Sequence, residues 1–235
     1  MIRPFVNVDK HAVNREKNTY TVRSIYLDTP DLLFYRDKIE GVPYRIKLRI
    51  RGYNRAADDS PVFFEIKRKH MIPMTKNRAP LPYATVKDIL EGRVDPTSVQ
   101  GLKNERQMED LKRFLFQLHI GSLAPTVLVV YDREPYEAKE DSTVRITFDK
   151  DLKSAPLPSI HDLYTDRLKS VLENHFILEV KYNRHYPEWM QSITNAFNIK
   201  QCSASKYCMS ENHPMILAQK PWQMFQRRPD TISYV

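Results

Sequence analysis

Four cations alternate with apolar residues in the segment VPYRIKLRIRG, which covers positions 42–52. Arg45, Lys47, Arg49 and Arg51 occupy every second position of this segment. Because successive side chains of a β-strand point to opposite faces, the pattern predicts a strand with one cationic face. Neighbouring like charges repel, so such a face favours an anion opposite it. Phosphate is a suitable anion, since the planar arginine fork and the lysine point charge both bind its oxygens.

A second segment, PVFFEIKRK at positions 61–69, repeats this alternation and adds a carboxylate. Glu65, Lys67 and Lys69 share one predicted face, opposite Val62 and Phe64. The polar, turn-rich stretch between the two segments predicts that they form a β-hairpin. We expect Glu65 to hold the neighbouring cations in place, and it is a weaker candidate for a metal ligand.

Three later segments show the same division into an apolar and a charged face, at 125–133, 143–149 and 175–182. Their charged faces carry four candidates for phosphate binding, namely Tyr131, Arg133, Arg145 and Lys181. Glu179 is the leading candidate for a metal ligand, because a hard divalent cation needs only one or two carboxylates beside phosphate oxygens and waters. Glu179 could equally form an ion pair with Lys181 or with an arginine, and Asp149 is expected to hold lining cations.

The elements that must position these residues are strands flanked by helices. A further strand is predicted at 21–29, and the spacing of apolar residues predicts helices at 83–90, 103–120, 162–173 and 188–197. In a closed antiparallel barrel, the apolar faces would contact helices packed outside and the charged faces would line the interior. The sequence therefore predicts an α+β fold built around a cation-lined tunnel.

Composition excludes several other classes of protein. The chain has 235 residues, a formal net charge of +8 and 5 glycines, and it contains neither a GxxxxGK[ST] loop nor a GxGxxG loop. No apolar run approaches the roughly 18 residues of a membrane helix, and the N-terminus has no signal-peptide core. Cys202 and Cys208 match no zinc spacing. A cytoplasmic protein is expected, which could reach the inner face of a membrane only through a membrane-protein partner subunit.

Several short motifs then follow in order from about residue 21 to residue 208: SIYLDTPDLLFY, YRIKLRIRGY, VFFEIKRK, VVYDRE, RITFD, ILEVKY and SKY. Together they resemble the VTC domain of polyphosphate polymerases, which belongs to the triphosphate tunnel metalloenzymes. The resemblance implies a closed antiparallel tunnel that binds ATP and a growing polyphosphate chain, with Mn²⁺ or Mg²⁺ as the cofactor.

Matching positions in these motifs imply roles for individual residues. The resemblance implies catalytic roles for Arg49, Arg51, Lys67, Arg133 and Lys206, and metal binding for Glu179. It is consistent with substrate binding by Lys47, Tyr131, Arg145, Lys181 and Ser205.

The chain departs from the family pattern at two places. Members of the family usually begin with a strand carrying a Glu-x-Lys motif, and the roughly twenty residues before position 21 lack it. Ser203 stands where the family tends to have a further lysine. We therefore expect a VTC-like domain over 1–208 without the usual first strand, followed by a C-terminal tail over 209–235.

The sequence leaves more than one function open. The leading hypothesis is a polyphosphate polymerase, and an inorganic or nucleoside triphosphatase of the same fold differs only in using water as the acceptor. A polyphosphate-binding module without catalysis is a third reading, which the missing Glu-x-Lys strand supports. Nucleic-acid binding is not expected, because the cations alternate with apolar residues on strands expected to close, whereas open nucleic-acid surfaces combine cations with exposed stacking aromatics.

Overall fold

The structure, a computed structural model, describes residues 1–71, 73–99, 102–183, 185–210 and 233–234. The strands are β1 (Val6–Val8), β2 (Tyr20–Asp28), β3 (Tyr44–Tyr53), β4 (Pro61–His70), β5 (Met74–Pro82), β6 (Ala124–Ala138), β7 (Arg145–Pro156), β8 (Lys169–Ser170), β9 (Phe176–Lys181), β10 (Lys200–Gln201) and β11 (Ser233–Tyr234). The helices are α1 (Leu33–Glu40), α2 (Tyr83–Leu90), α3 (Glu105–Ile120), α4 (Glu188–Ala196) and α5 (Lys206–Ser210). The strands pair mostly in antiparallel fashion, so the predicted α+β class is confirmed.

The chain divides into two compact units. We call residues Val22–Val129 and Ser154–Lys169 the meander unit, and residues Met1–Thr21, Val130–Lys153 and Ser170–Val235 the terminal unit. Strands β2, β6, β7 and β8 contribute residues to both units.

The meander unit takes its name from β2, β3, β4 and β5, which pair consecutively and antiparallel. The pairing of β3 with β4 confirms the predicted hairpin. Within the described residues β5 pairs with β4 alone, so the closed barrel is not confirmed by strand pairing.

One face of this meander is apolar and packs against α3. Leu48 on β3, and Phe64 and Ile66 on β4, are fully buried, and the Phe64 ring stacks on Phe114 of α3 with centroids 4.5 Å apart. Burying a side chain of this size stabilises the fold by roughly 1.5–3 kcal/mol. Because strand side chains alternate, this packing turns the charged residues of β3 and β4 to the opposite face.

The terminal unit divides its side chains in the same way. β7 pairs antiparallel with β9, and the apolar residues Ile146, Leu178 and Met190 form a buried cluster with Val6 of β1. The other face of the β7–β9 pair carries charged and polar residues. β1 itself pairs antiparallel with β6, and its three residues Val-Asn-Val include no cation.

Most predicted elements are present, and one predicted helix is wrong. In place of a helix over 162–173, the chain forms a short 3-10 helix (Ile160–Tyr164) and then β8. Arg23 explains the early end of the helix, because its guanidinium donates to the Thr165 carbonyl (2.7 Å) and to the Asp166 carboxylate (3.1 Å). These contacts hold the chain extended after Tyr164.

Two expectations about the rest of the chain meet the structure only in part. No helix of the described residues combines the length and apolar character needed to cross a membrane. Of the predicted tail over 209–235, Met209 and Ser210 end α5, whereas residues 211–232 and 235 lie outside the described residues.

Candidate functional site

The charged side of the meander forms one continuous ladder of side chains, which we call the meander face. Strand register sets Arg49 opposite Glu65 and Glu65 opposite Arg78, and it sets Lys47 opposite Lys67 and Lys67 opposite Lys76. The meander face is defined by Lys47, Arg49, Arg51, Glu65, Lys67, Lys76 and Arg78. The structure thus brings together the sequence-predicted residues of β3 and β4.

Glu65 lies at the centre of the meander face, and its side chain is only 1% exposed. One carboxylate oxygen, Oε2, lies 2.6 Å from Arg49 Nη2 and 3.9 Å from Arg51 Nη1. The other, Oε1, lies 2.7 Å from Lys76 Nζ and 3.1 Å from Arg78 Nε. Four cations therefore meet one carboxylate, as expected for a residue that holds lining cations. Both oxygens of Glu65 therefore face cations, and its role as a weaker candidate for a metal ligand stays a prediction.

The electrostatics of this group follow from that imbalance of charge. Burial alone would raise the pKa of Glu65, but Arg49, Arg51 and Lys76 hold this pKa far below its ordinary value. The excess of positive charge also affects Lys76. Burial and the nearby Arg78 and Arg49 lower the pKa of Lys76, although Glu65 acts to raise it. The meander face is thus strongly positive, and an anion bound on it would relieve repulsion between its cations.

Sequence reasoning missed three residues of this site. Lys76 and Arg78 lie on β5, with side chains 39% and 37% exposed, whereas the Arg49 and Arg51 side chains are only 9% exposed. The alternation of Lys76 and Arg78 was the available signal for this strand. Tyr26 on β2 is the third, and its hydroxyl accepts a hydrogen bond from Arg49 Nη1 at 3.2 Å. Burial alone would raise the pKa of Tyr26, but Arg49, Arg51 and Lys47 lower it.

A second charged group, the terminal cluster, is defined by Arg133, Asp149, Glu179, Lys181 and Lys206 of the terminal unit. Arg133 donates in bidentate fashion to Asp149, with Nε 2.7 Å from Oδ1 and Nη2 2.8 Å from Oδ2. Lys206 Nζ lies 2.6 Å from the same Oδ2. Asp149 is buried and thereby holds two of the predicted lining cations.

Glu179 occupies the more accessible side of the terminal cluster, with its side chain 17% exposed. Its Oε1 lies 2.9 Å from Lys181 Nζ and its Oε2 lies 3.4 Å from Arg133 Nη2, so both ion pairs considered from the sequence are present. Burial alone would raise the pKa of Glu179, but Lys181, Lys206 and Arg133 lower it, and the group is ionised at neutral pH. Three cations meet two carboxylates here, which makes the terminal cluster much less positive than the meander face.

The remaining predicted residues lie around the terminal cluster. Tyr131 is buried, and its ring packs against Lys206 (Nζ 5.0 Å from the centroid) and Arg133 (5.4 Å). Arg145 is exposed and lies 3.1 Å from Glu137 Oε1. Ser205 precedes α5, and its hydroxyl oxygen accepts a hydrogen bond from the Cys208 backbone N–H at 3.4 Å.

One pocket of the terminal unit contains oxygen ligands of the kind that a hard metal ion prefers. Asp9, Thr147 and Glu179 line it together with Arg133 and Lys181. The hydroxyl oxygen of Thr147 is buried and makes no hydrogen bond within the described part of the chain. No group of three or more His, Cys, Asp or Glu side chains suited to a metal lies among the described residues. A metal ion at this pocket would therefore take some of its ligands from a bound phosphate and from water.

The ion pairs of Asp149 with Arg133 and Lys206 predict a loss of stability in acid. Although burial alone would raise the pKa of Asp149, Lys206 and Arg133 lower it below the ordinary value of 3.8. A carboxylate with a depressed folded-state pKa stabilises the protein fully above the unfolded pKa, and this stabilisation is lost as pH falls through the folded pKa. We expect the contribution of Asp149 to the free energy of unfolding, measured with urea, to be independent of pH above about pH 5. Below about pH 4 this contribution should fall.

An Asp149→Asn variant tests this expectation. Its unfolding free energy should depend less steeply on pH below about pH 4 than that of the wild type. Asp151→Asn is the matched control, because Asp151 is exposed and pairs with the exposed Lys153, and it should keep the wild-type slope. Equal slopes for all three proteins would contradict an ionised, buried Asp149.

The chain matches one protein family and is similar to solved structures. The family model described as "VTC domain" matches residues 1–212. Among solved structures, the chain is similar to a putative adenylate cyclase from Bacillus halodurans, with 16% identity, 84% of this chain and 89% of that chain covered, and a TM-score of 0.47. It is also similar to the PH1819 protein from Pyrococcus horikoshii OT3, with 15% identity, 84% and 77% covered, and a TM-score of 0.36. No curated protein matches the chain significantly in sequence.

Proposed function

The chain belongs to the VTC domain family, and from this premise we propose that it is a polyphosphate polymerase, which transfers the γ-phosphate of ATP to the end of a polyphosphate chain. The observation that most strongly supports the proposal is the meander face, where four cations meet the single carboxylate of Glu65. A row of phosphates is an anion of matching charge and length. The proposal includes the closed antiparallel tunnel that the family resemblance implies.

The meander face would bind the phosphates by charge and by hydrogen-bond geometry. Arg49 and Arg51 carry planar guanidinium groups that donate to two phosphate oxygens at once, whereas Lys67 and Lys47 act as point charges. Lys76 and Arg78 are more exposed than Arg49 and Arg51 and would contact an arriving polyanion before them. Phosphoryl transfer depends on positioning and charge neutralisation more than on a protein nucleophile, and cations of this kind contribute to both.

The terminal cluster would contribute in a different way. Asp149 fixes the position of Arg133 and Lys206, so these cations need little reorganisation when a phosphate arrives. In the proposal Tyr131, Ser205, Arg145 and Lys181 support substrate binding around them. Lys181 is 58% exposed, so it can leave Glu179 for a phosphate oxygen.

Mn²⁺ or Mg²⁺ is the cofactor that the proposal requires, and the residues present fit such an ion. Glu179 and Asp9 supply carboxylate oxygens in one pocket, where the Thr147 hydroxyl oxygen lacks a partner among the described residues. Glu179 would be the principal ligand. When bound, the metal would neutralise charge that develops on the transferred phosphoryl group.

The test is to incubate the purified chain with ATP and Mn²⁺, resolve the products by length on a gel and measure ADP in parallel. A ladder of phosphate chains with an equivalent amount of ADP is the expected result. ADP and free phosphate without chains would show that the chain is a triphosphatase and not a polymerase. Neither product, together with tight binding of added polyphosphate, would replace it with a binding module.

Partner and location follow as parts of the same proposal. ATP is a cytoplasmic substrate, so the proposal includes a cytoplasmic location. A polyphosphate chain that leaves the cytoplasm would need a membrane-protein partner subunit to receive it. The chain is expected to bind ATP and polyphosphate and not nucleic acid.

A further inference from the structure

An exposed apolar surface lies at one end of the meander, where the β4–β5 turn meets the start of β3. Met71 and Met74 on either side of the turn are 60% and 62% exposed, and Tyr44 of β3 is 57% exposed. The Tyr44 ring packs edge-on against His70, with centroids 4.3 Å apart. We call Tyr44, Met71 and Met74 with Arg45 and Lys69 the hairpin tip. Three large apolar side chains exposed together at one turn are unusual enough to indicate an interaction surface.

Backbone hydrogen bonds fix the hairpin tip. The Met71 N–H donates to the Pro43 carbonyl at 3.0 Å, and the His70 N–H donates to the Pro73 carbonyl at 3.0 Å. The turn is thus tied both to itself and to the chain that enters β3. Its methionines are held in a position that exposes them, so their exposure is a feature of the fold.

Along the two strand segments that meet at the hairpin tip, the charged side chains have one sign. Strand register places Arg45 opposite Lys69 and Lys69 opposite Met74, so two cations and a methionine form a row next to that of Lys47, Lys67 and Lys76. The sequence contains no Asp or Glu from position 41 to 57 or from 66 to 87. The hairpin tip therefore combines exposed apolar side chains with cations and no neighbouring carboxylate along either strand segment.

We propose that the hairpin tip docks on the surface of an anionic lipid bilayer, with Met71 and Met74 among the headgroups and Arg45 and Lys69 on lipid phosphates. A soluble polyphosphate would account for the cations but not for the methionines, because it has no apolar group. A neutral apolar partner would account for the methionines but not for the uniform charge. An anionic bilayer presents both features, and flexible methionine side chains suit its disordered interface.

Charge and apolar contact are expected to act together in this binding. Each lysine or arginine near an anionic bilayer strengthens binding by about fivefold, and the methionines add a contribution that soluble phosphate cannot provide. Because β3, β4 and β5 start or end at the tip, docking would place the row of Arg45 and Lys69 at the headgroup layer, next to the meander face. This inference goes beyond the proposed enzymatic function and does not depend on it.

Flotation of the purified full chain with lipid vesicles tests the proposal. We expect the wild type to bind phosphatidylcholine vesicles that contain about 30% phosphatidylserine at least tenfold more tightly than vesicles of phosphatidylcholine alone. A Met71→Ser/Met74→Ser variant should lose at least about tenfold in vesicle affinity. Its affinity for soluble polyphosphate should stay unchanged, because the two substitutions remove no cation.

Matched controls separate the sources of binding. Phe116→Ser removes an apolar side chain that is also 60% exposed, on α3, and should bind vesicles like the wild type. Wild-type vesicle affinity in the methionine variant, with complete release by soluble polyphosphate, would overturn the proposal in favour of phosphate binding alone. Equal binding to neutral vesicles would overturn it as well. The proposal would also be overturned if the wild type formed dimers and bound no vesicles, and if the methionine substitutions dissociated those dimers. A second copy of the chain would then be the partner that contacts the hairpin tip.

Discussion

Glu65→Gln is expected to lower the free energy of unfolding by about 3–5 kcal/mol, the range measured when one partner of a buried ion pair is removed. Glu65 is almost fully buried, and it is the carboxylate that Arg49, Arg51, Lys76 and Arg78 share. Glutamine keeps the shape of the side chain and removes its charge. The four cations would then repel one another without the central carboxylate, and urea unfolding would measure the loss.

The same variant links stability to ligand binding. A bound polyanion replaces the missing negative charge, so added polyphosphate should raise the unfolding midpoint of Glu65→Gln by more than it raises that of the wild type. Glu109→Gln is the matched control, because Glu109 is exposed and pairs with Arg113 on α3. It should change stability by less than about 0.5 kcal/mol. A stable Glu65→Gln protein that polyphosphate does not stabilise further would contradict the electrostatic account of the meander face.

The alternation in β3 and β4 made much of the meander face predictable. Period-2 patterning sets Arg49, Arg51, Glu65 and Lys67 on charged faces, and the turn-rich link between the strands predicts their pairing. The sequence therefore predicts that Glu65 contacts cations across the strands, but it does not predict the distances. What local patterning cannot give is the partner on the far side of β4.

That partner is β5, which the sequence does not indicate as a strand because it contains two prolines. Pro80 and Pro82 lie in this strand, and proline is uncommon in strands because it cannot donate a backbone hydrogen bond. Such residues are tolerated where a strand has a neighbour on one side only, and among the described residues β5 pairs only with β4. Asp110 of α3 makes a tertiary contact with this strand, since its carboxylate accepts a hydrogen bond from the backbone N–H of Arg78 at 2.9 Å. A contact between residues this far apart in sequence leaves no local signal.

The terminal cluster shows the same limit in its electrostatics. The sequence indicates that Asp149 and Glu179 lie on charged strand faces, but it does not say which cations each one meets. Arg133 and Lys206 come from β6 and α5, and the fold alone brings both of them to Asp149. The assignment of Glu179 as the metal ligand stays a prediction, since its two cation partners are equally compatible with a structural role.

Arg51→Ala is expected to weaken binding of a non-hydrolysable ATP analogue and of polyphosphate by about 10- to 100-fold, with little loss of stability. A hydrogen bond to a charged group contributes about 1.5–3 kcal/mol, which corresponds to that range of affinity. Arg51 lies 3.9 Å from Glu65, whereas Arg49 lies 2.6 Å from it. Sequence alone makes these two arginines equivalent, but the distances separate them, because Arg51 is the one less committed to the buried carboxylate.

Arg49→Ala should therefore lose both affinity and stability, whereas Arg51→Ala should lose affinity with a smaller loss of stability. Titration calorimetry and urea unfolding of the two variants measure both quantities. Arg113→Ala removes the same charge from an exposed position on α3 and should bind both ligands like the wild type. Wild-type affinity in Arg51→Ala would show that phosphate is not held by the meander face. Equal loss of stability in Arg49→Ala and Arg51→Ala would instead show that Glu65 depends on both arginines alike, whatever their distances.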